Sequence, residues 1–354
     1  MKTNHNFYST LALNLAEKNL GKTNSNPSVG CIIVKDGSVI SSAVTSENGR
    51  PHAEFNALNR KINFKNSLMY VTLEPCTHYG KTPPCTKIIK RKKIKKVYYL
   101  FNDPDLRTYK KAKKTLNKIK QLTKHKFKNV DIYKSYFLNK IEKTPQIDAK
   151  IAMSKDYFTI SKKNKWITNF RSRKVAHLIR SKYDCIISTS YSINKDNSLL
   201  NCRINGLNKY KPDLVIIDRF LRLKKRLKLF NLANRRKTYI VTSSKNQKVI
   251  SFFKKKRIKI INLYNLNNKK DFIKLFNKLF EIGKRRILVE SGLTFLNQLL
   301  KLRFISHLYL FKTNKSLKKK GFNNCSASII KKMKIMNRIN VNLENENLFK
   351  LRIK

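Results

Sequence analysis

Acidic residues are what this sequence has least of for its size. Across 354 residues, 20 Asp and Glu face 80 Lys and Arg, giving a formal net charge of +60. Such an excess ordinarily raises nucleic-acid binding first. The cations, however, are scattered over predicted helices, strands and loops alike and accompany abundant Asn and Ile, which fits compositional drift better than one dedicated basic surface. Adhesion to polyanions is expected either way, and it should weaken steeply with salt. Cysteine is also scarce. Six, irregularly placed, are too few for a disulfide framework and point to a reducing, cytoplasmic setting. No apolar run approaches the ~18 residues a membrane span requires, and the polar start of the chain offers no signal-peptide core. With 41% hydrophobic residues, the chain is expected to be globular, with room for two domains.

Chemistry concentrates in two stretches, Pro51-His52-Ala53-Glu54 and Glu74-Pro75-Cys76-Thr77-His78-Tyr79-Gly80-Lys81-Thr82-Pro83-Pro84-Cys85. One His and two Cys suit tetrahedral zinc, and three protein ligands leave a fourth position for water, the mark of a catalytic site. Glu54, two residues after His52 in the first turn of a helical pattern (Ala53, Ala57, Leu58), can reach that position without being a ligand. Two Cys in an intracellular chain are more often buried thiols. The apolar β-type run Leu68–Leu73 and proline before Cys76 favour the metal reading, with His52, Cys76 and Cys85 as Zn2+ ligands and Glu54 as proton shuttle. His-x-Glu followed by Pro-Cys-spacer-Cys resembles the zinc-dependent nucleobase deaminases.

Eight residues separate the two cysteines, where deaminases acting on tRNA or free cytidine usually have two. This longer loop resembles the bifunctional riboflavin-biosynthesis deaminase/reductase family, the RibD type. Upstream, a helix over Phe7–Leu20, Gly21 as its C-cap, Asn26-Pro27-Ser28-Val29-Gly30, a strand Cys31–Val34 and the hairpin signal Asp36-Gly37 resemble the same deaminase half. By that resemblance Asn26 holds the substrate base; read alone, it is a turn residue before proline. Thr45 stands where the family usually has a His. His78 and Lys81 touch substrate or, for His78 equally, stiffen the loop. A basic helix over 109–122 and a strand over Val130–Tyr133 follow. The resemblance implies a cytidine-deaminase-like three-layer α/β/α domain over residues 1–144.

From Thr144-Pro145 onward the chain resembles the reductase half of that family, so residues 145–354 are expected to form a dihydrofolate-reductase-like α/β domain. The resemblance rests on Gln146–Asp156, Trp166-Ile167-Thr168, a helix carrying Arg180, the strand Asp184–Ser188, Asp196, Leu200, Arg203, the strand Asp213–Asp218 and Ile287–Gly292. It implies NADPH beside Ala152, Trp166, Ser192, Asp196 and Gly292, and substrate at Asn164, Arg180, Leu200, Arg203 and Glu290. The planar guanidinium of Arg180 suits a phosphate, and the strand-to-helix turn at Gly292 suits a cofactor phosphate. Taken singly, Trp166 reads as core and Arg180 as a solvated helix face. Tyr157, Asn169, Tyr191 and Ser291 occupy positions where the family has glycine or other small residues, and a Cβ at a positive φ costs about 1 kcal/mol or more.

The expected function is zinc-dependent hydrolytic deamination of a phosphorylated aminopyrimidine, followed by NADPH-dependent reduction of its ribosyl side chain, in riboflavin synthesis. The rivals are a deaminase whose second domain has lost its cofactor site, a nucleic-acid-acting zinc deaminase, and a zinc-stabilised domain without catalysis. A homo-oligomer is expected, with no specific nucleic acid and no membrane as partner.

Overall fold

The computed structural model describes residues 4–122, 131–207, 212–232, 235–263, 265–335 and 338–353. The chain divides into two compact units, Met1–Lys143 and Thr144–Lys354.

In the first unit, helix α1 (His5–Lys18) precedes a hairpin of β1 (Gly30–Lys35) and β2 (Ser38–Val44). Asp36 and Gly37 both have positive φ, the geometry a two-residue hairpin needs. Helix α2 (Ala53–Leu58), β3 (Leu68–Leu73), α3 (Cys85–Arg91) and β4 (Lys96–Phe101) follow, then the short α4 (Ala112–Thr115) and β5 (Ile119–Gln121). The sheet runs β2-β1-β3-β4-β5, with the hairpin antiparallel and β3, β4 and β5 parallel. Its register sorts the side chains into two rows. Ile32, Tyr70 and Tyr98 align and pack with Tyr8 and Ala12 of α1. Ile33, Met69 and Val97 align on the opposite face with Ala57, Leu58, Ile88 and Ile89 of α2 and α3. Alternate residues of a strand point to opposite faces, so helix, sheet and helices stack as three layers. Gly30 allows α1 to lie close, because a Cβ there would sit 1.9 Å from the Ala12 carbonyl oxygen.

Two expectations fail here. The basic stretch 109–122 is not one helix: Lys110 has φ +55, helix covers only Ala112–Thr115, and Ile119–Gln121 joins the sheet beside β4. Only Ala112, Leu116 and a few partly buried neighbours meet the core, so no continuous apolar face holds a longer helix. The predicted strand over 130–133 is also absent. Val130 lies outside the described residues, and Asp131–Tyr133 is a 3₁₀ turn entering helix α5 (Lys134–Phe137). There Tyr133 points inward, where its hydroxyl donates to Ser28 O at 3.0 Å and lies 2.5 Å from Thr72 Oγ1.

The second unit starts with β6 (Gln146–Met153) and the two-residue β7 (Ile160–Ser161). It continues through α6 (Phe170–Ser181), β8 (Cys185–Thr189), α7 (Ser190–Asp196), β9 (Asp213–Ile217), β10 (Thr238–Thr242), α8 (Gln247–Lys255), β11 (Ile258–Asn262) and α9 (Lys269–Glu281). It ends with β12 (Arg286–Val289), α10 (Leu293–Lys301), β13 (His307–Thr313), β14 (Gly321–Phe322), α11 (Ser328–Lys331) and β15 (Glu346–Arg352). Eight strands form one sheet in the order β11-β10-β9-β8-β12-β6-β13-β15, all parallel except β15. Helices α9 and α10 cover one face, and α6 and α8 cover the other. Double cover explains the unbroken apolar runs Ile186-Ile187 and Leu214–Ile217. The segment 188–192 closes β8 and opens α7, capped by the Thr189 side chain accepting from Ser192 N.

Candidate active sites

At the first site, β3 carries Cys76 out of the sheet, α3 begins with Cys85, and His52 is the N-cap of α2. The ligand atoms of these three residues lie within 4.8 Å of one another. His52 Nδ1 stands 3.4 Å from Cys85 Sγ and 3.7 Å from Cys76 Sγ. Zinc with bonds of about 2.3 Å to sulfur and about 2.0 Å to nitrogen at tetrahedral angles needs roughly 3.5 Å between such atoms, so the three residues fit that ion. The Cys85 N–H donates to Cys76 Sγ at 3.2 Å. Hydrogen bonds from Cys85 and His52 outweigh burial and bring the Cys76 thiol down to about 4, favouring the thiolate that binds metal. Glu54 follows His52 in the first turn of α2, where the helix dipole favours a carboxylate. It is 4% exposed, and burial pushes its carboxyl up to about 7 against the pull of His52.

Surrounding residues hold this arrangement. Asn26 donates its amide to Gly49 O at 2.9 Å, and Gly49 has φ +87 with Thr23 and Asn26 against it, so only glycine fits. The His78 ring lies 3.1 Å from Thr108 Oγ1, and Thr77 Oγ1 donates to Arg107 O, which tie the inter-cysteine loop to the segment after β4. Loop stiffening is therefore the role the structure supports for His78. Lys81 is exposed in the same loop. Thr45, at the family's His position, is buried and bonded to Val29 N. Sequence reasoning overlooked Glu74. Its buried carboxylate accepts from the backbone N–H groups of Asp103, Lys110 and Ala112 at 3.4, 3.0 and 3.1 Å.

In the second unit, Glu290 follows β12 and receives the forked guanidinium of Arg180, with Nε 2.5 Å from Oε1 and the second nitrogen 2.9 Å from Oε2. Lys150 of β6 adds a contact at 3.4 Å. Burial alone would raise the Glu290 carboxyl, but Arg180 and Lys150 outweigh it and hold it at about 2. Arg180 also donates to Asn201 O, and Arg203 donates to Asn201 Oδ1 at 2.6 Å, so the segment from Leu200 to Arg203 joins the cluster. Leu200 itself is buried with φ +46. One expectation changes, and one residue is added. Arg180 is neither a solvated helix face nor a free phosphate fork, because Glu290 occupies it. Lys150 belongs to the site, although as one lysine among many it carried no contrast in the sequence.

The cofactor candidates are less concentrated. Ala152 lies on β6 two residues beyond Lys150, and burial raises the carboxyl of Asp196 at the end of α7 while Lys195, Lys165 and Lys150 draw it down. Gly292 caps α10, but its N–H donates to Ser192 Oγ at 3.3 Å. Trp166 is 57% exposed with Lys165 and Arg173 over its ring, so it is not core. Asn164 is exposed in a turn closed by Ser161, with no hydrogen bond joining it to Arg180 or Glu290 among the described residues. The residues at the family's small positions are accommodated. Asn169 caps α6 and bonds Glu346, Tyr191 is exposed, and Ser291 is not among the residues with positive φ. Tyr157 alone sits at φ +67, its ring packed against Lys312 and the core. A cavity of about 430 Å³, lined by Tyr191, Asn194, Arg219, Phe220, Asn267 and Gln298 among others, opens at the carboxyl ends of β8 and β9. The cavity thus lies where parallel sheets bind nucleotides, at the carboxyl ends of their strands.

No helix among the described residues is long and apolar enough to cross a membrane. Residues 2–101 match the family described as the cytidine and deoxycytidylate deaminase zinc-binding region, and residues 145–313 match the RibD C-terminal domain. The chain is 32% identical over 318 residues to the riboflavin biosynthesis protein RibD of Aquifex aeolicus, covering 86% of this chain and 85% of that one. It superposes with a TM-score of 0.81 and 25% identity on a diaminohydroxyphosphoribosylaminopyrimidine deaminase/5-amino-6-(5-phosphoribosylamino)uracil reductase from Thermotoga maritima, over 99% of each chain. For RibD of Acinetobacter baumannii the TM-score is 0.79 at 22% identity, again over 99% of each chain, a likeness of fold. Sequence, fold and the clustered His52, Cys76 and Cys85 agree: this chain belongs to the RibD family of bifunctional riboflavin biosynthesis enzymes, a zinc-dependent deaminase followed by an NADPH-dependent reductase.

Proposed function

We propose that residues 1–144 hydrolyse the 2-amino group from 2,5-diamino-6-(5-phosphoribosylamino)pyrimidin-4-one, and that residues 145–354 then reduce the opened ribose of the product to ribityl. The observation that carries this is the approach of His52 Nδ1, Cys76 Sγ and Cys85 Sγ to within 4.8 Å, beside the buried Glu54. Zinc, when bound, acts as a Lewis acid that makes a water nucleophilic at neutral pH. Glu54 would take one proton from that water and deliver it to the ring nitrogen, then carry the second, from the added hydroxyl, to the departing amine, so the ring gains a C=O and an N–H and ammonia leaves. Asn26, oriented by Gly49, holds the base. In the second half, NADPH supplies the hydride. Arg180 and Lys150 keep Glu290 ionised and fixed to accept hydrogen bonds from ribose hydroxyls, and Arg203, with no carboxylate partner among the described residues, takes the phosphate. The assembly is proposed to be a homo-oligomer, testable by light scattering.

The test is ammonia release from the phosphorylated pyrimidine, together with zinc content. Glu54→Gln should retain zinc and lose about 10²- to 10⁴-fold in rate. Undiminished release would refute the role of Glu54, and a folded wild-type chain that binds no zinc would refute the site.

A further inference from the structure

Resting on the reading that Arg203 takes the substrate's phosphate, we propose that Arg236 is a positioning residue for the reductase step: it holds two successive carbonyls of the segment 199–203 and so fixes the aim of Arg203. Arg236 lies just before β10 and is 6% exposed. One terminal nitrogen of its guanidinium donates to Leu200 O at 2.6 Å and to Pro212 O at 3.3 Å, and the other donates to Leu199 O. Those two leucine carbonyls belong to the peptide groups on either side of the Leu200 α-carbon, so one shared donor fixes both dihedrals of that residue. Leu200 has φ +46, a conformation in which a leucine stays only when it is held.

Everything the segment offers to substrate lies just beyond that restraint. Asn201, the next residue, accepts from Arg180 through its backbone oxygen at 3.2 Å and from Arg203 through Oδ1 at 2.6 Å. The Arg203 N–H in turn donates to His177 Nδ1 of α6 at 3.2 Å. A rotation at Leu200 would move Asn201 and Arg203 together. The local fold gains little from a charge at residue 236. Arg236 forms no ion pair, and its Nε–H has no hydrogen-bond partner, among the described residues. Burial, opposed by Asp213 and aided by Arg180, brings its guanidinium down to about 10, and Asp213 itself is engaged by Lys284 at 2.5 Å. A buried cation without a carboxylate is costly, and departures of this kind collect at functional sites. What the charge supplies is grip, because a cationic donor bonds a carbonyl more strongly than a neutral one and a planar fork holds two at a fixed spacing.

The test is NADPH oxidation by the zinc-loaded full chain with 5-amino-6-(5-phosphoribosylamino)uracil and with the same compound lacking its phosphate. The ratio of the two kcat/KM values reads what the phosphate contributes. Arg236→Met, similar in length and uncharged, should raise KM for the phosphorylated compound roughly 10- to 100-fold with a smaller change in kcat, and lower the ratio accordingly. The KM for NADPH and the release of ammonia by the first unit should not change. Arg236→Lys, which keeps the cation and loses the fork, should recover part of the ratio. Arg203→Ala should lower the ratio by itself, and adding Arg236→Met to it should lower it no further. A merely structural role would lower the urea midpoint of Arg236→Met and leave the ratio of the folded protein at its wild-type value, which overturns the proposal. Should Arg236→Met not fold, Arg236→Lys decides: a ratio below wild type supports the proposal, and an equal one overturns it. A ratio that falls in Arg203→Ala but not in Arg236→Met removes only the positioning role, whereas a ratio untouched by Arg203→Ala removes the phosphate reading and the proposal with it.

Discussion

Glu290 shows what single residues contribute. Its carboxylate receives the fork of Arg180 in a site where both side chains are nearly buried, so removing one charge strands the other. Glu290→Gln should destabilise the chain by about 3–5 kcal/mol, read as a lowered midpoint in urea. The pH dependence follows from the direction of the shift. The folded carboxyl is held at about 2, below the ~4.3 of an unfolded glutamate, so its contribution is complete above pH ~4.3 and disappears as the pH falls toward 2. Stability measured across that window should change less steeply with pH in Glu290→Gln than in the wild type. Residue type and order sufficed to find Arg180 and Glu290, yet not that they hold each other. Lys150 was invisible because lysine occupies so many positions in this composition that one more in a strand carries no signal. The cluster of His52, Cys76 and Cys85 was legible for the converse reason: cysteine and histidine are rare here, and their spacing has chemical meaning.

At the scale of elements, the segment after β4 depends on Glu74, whose carboxylate gathers three backbone N–H groups from Asp103, Lys110 and Ala112. Glu74→Gln replaces one accepting oxygen with a donor, at a cost of about 1–3 kcal/mol. Amide hydrogen exchange over residues 103–112 should accelerate accordingly, while exchange in β1 stays slow. Unchanged protection over 103–112 would show that the segment holds itself. Strands with apolar runs were legible nearly to the residue, as with Leu68–Leu73, because burial dictates their composition. The elements that differed, at 109–122 and 131–133, depend on contacts far away in sequence: pairing of β5 with β4, and a tyrosine reaching Thr72 and Ser28. Local pattern contains neither. Helix α7 gave no signal in the sequence because it starts on a Thr189 cap rather than on an apolar repeat.

The whole molecule comprises two units with separate cores, and the metal belongs to one of them. Chelation should lower the thermal transition of the first unit and leave that of the second in place, as followed by calorimetry, since a ligand that binds only the folded state stabilises the unit that holds it. The net charge of +60 should produce retention on heparin or RNA that is indifferent to sequence and falls linearly with salt on a log–log plot. Sequence-selective binding that persists at physiological salt would contradict the dispersed-charge reading. Of only 20 acidic residues, seven are buried among the described residues: Glu54, Glu74, Asp103, Asp148, Asp218, Glu290 and Glu346. Each of the last six accepts hydrogen bonds inside the protein. A saturation scan of this enzyme should therefore be lopsided by sign. Basic positions should tolerate exchange almost everywhere, while a third of the anions should prove irreplaceable, which makes the rarest charge in the molecule the best guide to where it can be engineered.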